Sequence, residues 1–398
     1  MNLTDLTAAR RIPLIGRHEI LLEIERRVKR GGTHLLYFEG EGGIGKTALL
    51  EAVLRLGKER AETGSIFARS VACQIVDLYH VDTHTPEGLI RRVIHVLGDE
   101  GFAQTIQVRE EIDRARGVGN VDLAAERVGL LQETFLAEFE GLAHEGVLLA
   151  FDTLEVLEYE HAGLETEQGL EVARLSTREW LFSTFLCSLK SHVVLLMAGR
   201  PGDSGALLAE AARQNPFLQF RHVQLEALNL DETRDYLQTI ARVEEEQGDA
   251  DAAARLSSFA DERAEIVHVL TAGRPILLAL VSDLVAHGWL LPPPFGRSVE
   301  ELQQQGAGAW WPEIEWALVV RIQESPTPVG DVIRSLAWLR MGATPELLAR
   351  IMGLTTPDGK WDYDAVEETL DQVTSLTLVK VRPDEGRVFL HDEMYTLL

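Results

Sequence analysis

The 398-residue sequence predicts an α/β domain, a mostly parallel sheet with helices on both faces, followed by a small helical domain and a third domain ending in a β-hairpin. Three observations predict this. Short apolar runs at 33–39, 147–151 and 193–198 alternate with amphipathic helical stretches, the order of a parallel sheet wound with helices. A glycine-rich octapeptide separates the first run from a strong helix former. After Asn229 the strand-like runs stop until the C-terminal hairpin.

The first element is an amphipathic helix from Ile20 to Arg30, preceded by Gly16-Arg17. A Gly-Arg pair there reads either as an N-terminal turn or as a segment folding back over a nucleotide base. Next comes the strand Thr33–Glu39, then Gly40, Glu41, Gly42, Gly43, Ile44, Gly45, Lys46 and Thr47, with Ala48 opening the following helix. The octapeptide reads G-x-x-x-x-G-K-T, the P-loop pattern. Its glycines let successive backbone N–H groups curl around phosphates without a Cβ in the way. The helix N-terminus adds partial positive charge. Lys46 is expected to reach the β- and γ-phosphates, and the Thr47 hydroxyl to ligate Mg²⁺.

Residues 65–73 predict a second strand, 86–97 a helix, and 103–145 a charge-rich helical connection broken near Gly117-Val118-Gly119-Asn120. The apolar run ending Ala150-Phe151-Asp152 predicts a buried strand carrying a carboxylate at its C-terminal end, where open α/β sheets bind ligands. Asp152 is expected to hold Mg²⁺ from the ion's outer coordination sphere or through water, or else merely to cap the next segment. Glu155 is the candidate base for an attacking water. A helix over 177–189 and a strand over 192–198 follow, and Arg200 just past that strand reads as a γ-phosphate sensor or a solvated loop residue. A last strand is expected over 220–228.

The expected domains are 1–229, 230–311 and 312–398. Gly273-Arg274-Pro275 opens a very apolar helix; proline in a first turn has a structural explanation by itself, and Pro275 is also a candidate nucleotide contact. Trp310, Trp311 and Trp316 read as packing side chains. Helices at 313–324, 328–340, 345–353 and 362–375, then a hairpin, make a winged-helix order.

The chain's net charge of −25 argues against sequence-independent nucleic-acid binding, which depends on Lys and Arg. Residues 321–398 carry 8 Lys and Arg against 13 Asp and Glu, a net −5, so the expected winged helix lacks the basic face of a DNA reader. Nucleic acid is therefore an unlikely partner on this reading. Cys73 and Cys187 both fall in apolar segments and are expected to be buried thiols of a reducing cytoplasm. No apolar run reaches the ~18 residues of a membrane span, and no signal-peptide pattern opens the chain.

The order of Gly16-Arg17, the P-loop, Asp152-Thr153-Leu154-Glu155, Arg200, Gly273-Arg274-Pro275 and Leu390-His391-Asp392 resembles the nucleotide-binding oligomerisation module of STAND-class P-loop ATPases, the NB-ARC and NACHT group. The resemblance implies a switch with slow ATP hydrolysis. ADP would hold a closed monomer, and ATP would drive opening and assembly into a ring or wheel for signalling or defence. It implies ATP/ADP and Mg²⁺ as cofactors, Lys46, Asp152, Glu155 and Arg200 as catalytic residues, and His391 as a contact to the ADP β-phosphate. It also implies sensor and effector modules outside this chain. Thr153, in place of a second adjacent acid, departs from the NB-ARC pattern. The alternative reading is a P-loop ATPase with a DNA-binding winged helix, a transcription or replication regulator. A metabolic kinase is the third, and it lacks an evident substrate lid.

Overall fold

The computed structural model describes residues 14–62, 70–159, 177–304, 316–317, 320, 324, 328–339, 342–374, 379–382 and 386–390. They form two compact units. The first comprises Arg17–Glu41 and Lys46–Leu225; the second comprises Met1–Gly16, Gly42–Gly45 and Glu226–Leu398.

The first unit opens with helix α1, His18–Arg30, and strand β1, Thr33–Glu39. Helix α2, Lys46–Glu62, leads to two short strands, β2 (Ser70–Val71) and β3 (Val76–Asp77). Helices α3 (Pro86–Leu97), α4 (Ala103–Gly117) and α5 (Val121–Ala143) precede β4, Val147–Asp152. A short helix α6, Val156–Tyr159, follows. The helical run α7 is built of Thr177–Glu179, a π-turn Trp180–Phe185 and Leu186–Ser188. Strand β5 (Val193–Gly199), helix α8 (Ser204–Gln214) and strand β6 (Leu218–Gln224) complete the unit.

All pairings in this sheet are parallel, in the order β2-β4-β5-β1-β6, with β3 also on β4. β1, β4 and β5 are buried along essentially their whole length, because helices cover both faces, and this explains their unbroken apolar runs. β6, at the sheet edge, is buried at Leu218, half-buried at Phe220 and Val223 and exposed elsewhere, and it ends at Gln224 rather than Leu228. Of the second strand expected over 65–73, residues 65–69 lie outside the described residues and Ser70–Val71 form β2, with β3 following it along the same edge. β2 pairs with the start of β4 and β3 with its end. The 103–145 connection supplies packing: Phe135 and Phe139 of α5 meet Phe102, Trp180 and Phe185 in one aromatic cluster.

Two cysteine expectations are corrected. Cys73 is exposed and Cys187 half-buried. Cys73 follows β2 in the bend that interrupts the edge strand, so its apolar neighbours do not bury it.

The second unit is helical. It contains α9 (Leu230–Gln247), α10 (Ala250–Thr271), α11 (Pro275–Ala286) and α12 (Val299–Gln304). Then come α13 (Val329–Trp338), α14 (Pro345–Met352), α15 (Tyr363–Thr374) and the antiparallel hairpin β7 (Val379–Arg382) and β8 (Arg387–Leu390). Ala343 bridges Val388, adding a third short strand position to the hairpin. One hydrophobic core runs from Leu228 through α11 to Leu390. α9 starts with a capping box: Asn229 Oδ1 accepts from the Glu232 N–H at 3.0 Å, and Glu232 Oε2 accepts from the Asn229 N–H at 2.8 Å. Trp316 is 59% exposed, against the expectation that it packs, and Trp310 and Trp311 lie outside the described residues. No helix among the described residues is long and apolar enough to cross a membrane.

The glycine of Gly273-Arg274-Pro275 has a backbone reason. Gly273 lies at φ +65°, and a Cβ there would stand 1.8 Å from the Leu228 carbonyl oxygen, while the Leu228 N–H donates to the Gly273 carbonyl at 2.9 Å. Gly273→Ala is expected to destabilise the chain by about 3 kcal/mol or more, because left-handed strain adds to a clash with backbone. Gly296→Ala, in open space, is expected to stay within about 0.5 kcal/mol. Urea unfolding followed by far-UV circular dichroism compares the two.

Candidate active site

The sheet order brings three strand ends together. β1 runs into the P-loop, β4 ends at Asp152, and β5, lying between them, ends at Gly199 beside Arg200. The register is tight: Glu39 pairs with Gly199 and Phe151 with Met197. The Gly40 N–H donates to the Gly199 carbonyl at 3.2 Å, and the Leu154 N–H to the Ala198 carbonyl at 3.0 Å. The residues singled out on these three strands therefore share one rim, at the carboxyl ends of parallel strands.

Lys46 is the first residue of α2. Its ammonium donates to the Gly40 carbonyl at 2.6 Å and the Glu41 carbonyl at 3.0 Å, which holds the cation under the loop. Next to it, Thr47 Oγ1 donates to Asp152 Oδ2 at 2.5 Å. Asp152 is 7% exposed, and its Oδ1 accepts the Thr153 N–H at 2.8 Å. A part-buried hydroxyl–carboxylate pair at a helix N-terminus, next to a lysine, is a set of hard oxygen donors of the kind Mg²⁺ takes.

Glu155 and Arg200, predicted separately, are joined. Glu155 Oε2 accepts the Arg200 backbone N–H at 3.1 Å, and Glu155 Oε1 lies 3.3 Å from Arg200 Nε. The Glu155 side chain is 15% exposed and that of Arg200 44%. Tyr37, fully buried in β1, donates from its hydroxyl to the Arg200 carbonyl at 3.3 Å. Burial raises the Tyr37 pKa, and the charges of Glu39, Glu155 and Glu158 push it the same way, so the phenol stays a donor. Glu158 Oε1 accepts from the Ser204 N–H at 2.8 Å and the Ser204 hydroxyl at 2.7 Å, which ties α6 to the start of α8. Tyr37 and Glu158 were not predicted from the sequence; a strand-interior tyrosine and a short-helix glutamate carry no motif.

The other candidates are placed as follows. Arg17 is buried at the start of α1 in the first unit. Within the second unit, Gly16 lies at φ +69° beside Glu232. Pro275 is the first residue of α11, and the next residue, Ile276, donates its N–H to the Gly43 carbonyl at 3.1 Å. Gly43 is at φ +72°, with Ile276 Cγ2 2.3 Å from where a Cβ would sit, so only glycine fits that point of the loop. Arg274 donates to the Gly42 carbonyl at 3.4 Å. Gly45 lies at φ +93°, and Ile44 is buried. Ala48 follows Thr47 in the first turn of α2. His391 lies outside the described residues.

A P-loop between strand and helix, with an acid-bearing strand one strand removed, decides the class. The chain carries a P-loop ATPase fold. No family model matches the sequence, and no curated protein matches it. Among solved structures, the chain is similar to Aeropyrum pernix ORC1 in complex with DNA, at 19% identity over 97% of this chain and 92% of that one, with a TM-score of 0.38. It is similar to the ADP form of Aeropyrum pernix ORC2, at 14% identity over 98% and 93%, TM-score 0.38. A third is Drosophila ORC bound to DNA, at 12% identity over 98% and 88%, TM-score 0.40. These likenesses are distant, and the P-loop ATPase assignment stands on the loop and the sheet.

Two expectations change. The resemblance to NB-ARC and NACHT proteins narrows to the P-loop ATPase level, which is what the loop and the sheet carry. The exclusion of nucleic acid is overturned, since two of the three structures hold DNA. That exclusion rested on net charge, a sum over every surface, which does not fix the charge of any one face.

Thr47→Val keeps side-chain shape but removes the donor to Asp152. It is expected to lower the stability of the nucleotide-free chain by about 1–3 kcal/mol, the range for a hydrogen bond to a charged, buried acceptor. Chemical denaturation in EDTA measures it.

Proposed function

We propose that the chain is a nucleotide-gated ATPase with slow turnover, whose C-terminal part engages DNA. The Glu155–Arg200 pair is the observation that carries the gating. Glu155 Oε2 accepts the Arg200 backbone N–H and Oε1 faces its guanidinium, so a water at Oε1 competes with the guanidinium until that group moves. Arg200 follows the strand between β1 and β4, where a γ-phosphate would offer it a competing anion. ATP would then draw the arginine away and release the base, whereas ADP would leave the pair closed. Lys46 and the loop N–H groups would hold the phosphates, and Thr47 and Asp152 would hold Mg²⁺. When bound, Mg²⁺ would neutralise charge on the phosphate oxygens.

The DNA part is supported by the order of the last elements. α13, the Ala343 bridge, α14, α15 and the β7–β8 hairpin follow the sequence of a winged helix. Charge is divided within it. α15 carries Asp364, Glu367, Glu368 and Asp371, whereas the two hairpin strands carry Lys380, Arg382 and Arg387, with Asp384 and Glu385 in the sequence between them. Phosphate contacts would therefore come from the hairpin rather than from α15. Self-assembly for signalling has no observation here that favours it over this reading.

Lys46→Ala is expected to abolish nucleotide retention through purification; a variant that still carries ADP would remove the P-loop role. Glu155→Gln is expected to slow ATP hydrolysis by about 10²-fold or more with ATP affinity kept, as for loss of a general base. An unchanged rate would place the base elsewhere.

Duplex DNA binding, followed by anisotropy, is expected at 50 mM salt and to weaken at 200 mM, with ATPγS and ADP giving different affinities. Lys380→Ala is expected to weaken binding to all sequences and reduce the salt slope by about 1. Absence of binding at 50 mM salt with either nucleotide refutes the DNA part and leaves the ATPase part standing.

A further inference from the structure

Thr153 is one of two non-glycine residues at positive φ among the described residues, at 63°. A β-branched residue in the left-handed region costs about 1–3 kcal/mol and persists only where its surroundings hold it. Two hydrogen bonds do so here. The Thr153 N–H donates to Asp152 Oδ1 at 2.8 Å, and Thr153 Oγ1 donates to Asp77 Oδ1 at 3.1 Å. Asp77 is the last residue of β3, in register with Asp152 on β4. Its Oδ1 also accepts the Tyr79 N–H at 2.9 Å, which fixes the side chain, and the Leu78 N–H donates to the Asp152 carbonyl at 3.1 Å. The strained turn is thus clamped from the edge strand. The clamp has a direct consequence for Asp152. With Oδ1 tied to the Thr153 N–H, Oδ2 is left aimed at Thr47 Oγ1.

We propose that Asp77 is a positioning residue for a divalent cation at the Thr47–Asp152 oxygens, acting through Thr153 to orient the Asp152 carboxylate. This rests on the Mg²⁺-nucleotide reading above. The oxygen donors fit such an ion, and Asp77 holds Thr153, whose N–H makes the outer contact to Asp152. Loss of outer contacts of this kind lowers metal affinity by about 10–100-fold. Asp77 carries no sequence motif.

The test is equilibrium binding of a fluorescent N-methylanthraniloyl-ADP to the full chain, titrated with Mg²⁺ and repeated in EDTA. Asp77→Ala is expected to raise the Mg²⁺ midpoint about 10-fold while leaving the affinity in EDTA unchanged. Asp77→Asn keeps an oxygen acceptor and is expected to stay within about 3-fold of the wild type. Thr153→Val removes the hydroxyl with Asp77 intact and is expected to raise the midpoint like Asp77→Ala, which decides the matter should that variant not fold. Thr153→Gly relieves the strain, so adding Asp77→Ala to it is expected to change the midpoint little. An unchanged midpoint in Asp77→Ala or Thr153→Val overturns the proposal. An equal loss of ADP affinity with and without Mg²⁺ also overturns it, because the role would then be structural. A wild-type chain that binds ADP with no response to Mg²⁺ overturns the cation role, and one that binds no ADP overturns the nucleotide reading with it.

Discussion

The hydrogen bond from Thr47 to Asp152 is the constraint around which the first unit is built. It joins residues 105 positions apart and requires the start of α2 and the end of β4 to meet at one level. That meeting requires the ends of β1 and β4 to be matched, and the parallel pairing of β5, with β1 over all seven residues and with β4 from Val147 to Phe151, holds them so. The apolar runs of the three strands are therefore more than core filling. A one-residue slip in any of them would turn its inward side chains to the other face and move its end relative to the loop. Packing on both sheet faces makes such a slip costly, and the site inherits its precision from that cost.

The central strand β5 has a chemical consequence as well. Because it lies between β1 and β4, the residue just past it falls between the phosphate loop and the acid. Arg200 occupies that point and pairs there with Glu155, which belongs to the turn after β4. A cation and a carboxylate on neighbouring strand ends can hold each other, and an anion arriving from the loop side can separate them. The pair is partly exposed, so its own contribution to stability is small. What it contributes is a choice of partner for Arg200, and a weak pair suits that purpose better than a deeply buried one.

Much of this was legible in the sequence, for definite reasons. β1, β4 and β5 showed as apolar runs because they are covered on both faces, and the loop showed because its glycines and lysine stand at fixed spacing. The end of β6 was misjudged, since an edge strand with Arg221 and His222 exposed lacks a continuous apolar signal. Cys73 was misjudged because local apolarity said nothing of the bend that follows β2. Glu155 and Arg200 were each visible, but their pairing needed the strand order. Asp77 was invisible, because a two-residue strand has no periodicity and its importance lies in its register with Asp152.

The error over nucleic acid is instructive for a different reason. A net charge of −25 is a property of the whole chain, and screening confines each charge to its neighbourhood, about 8 Å at physiological salt. On that scale, what counts is which charges share a face. In the C-terminal region four of the thirteen acids lie on α15 and three of the eight bases on the hairpin strands, so a single sum of −5 over 321–398 does not describe either element. Charge totals bound solubility and long-range steering. They do not decide recognition, which is set where side chains come within hydrogen-bonding reach of a phosphate.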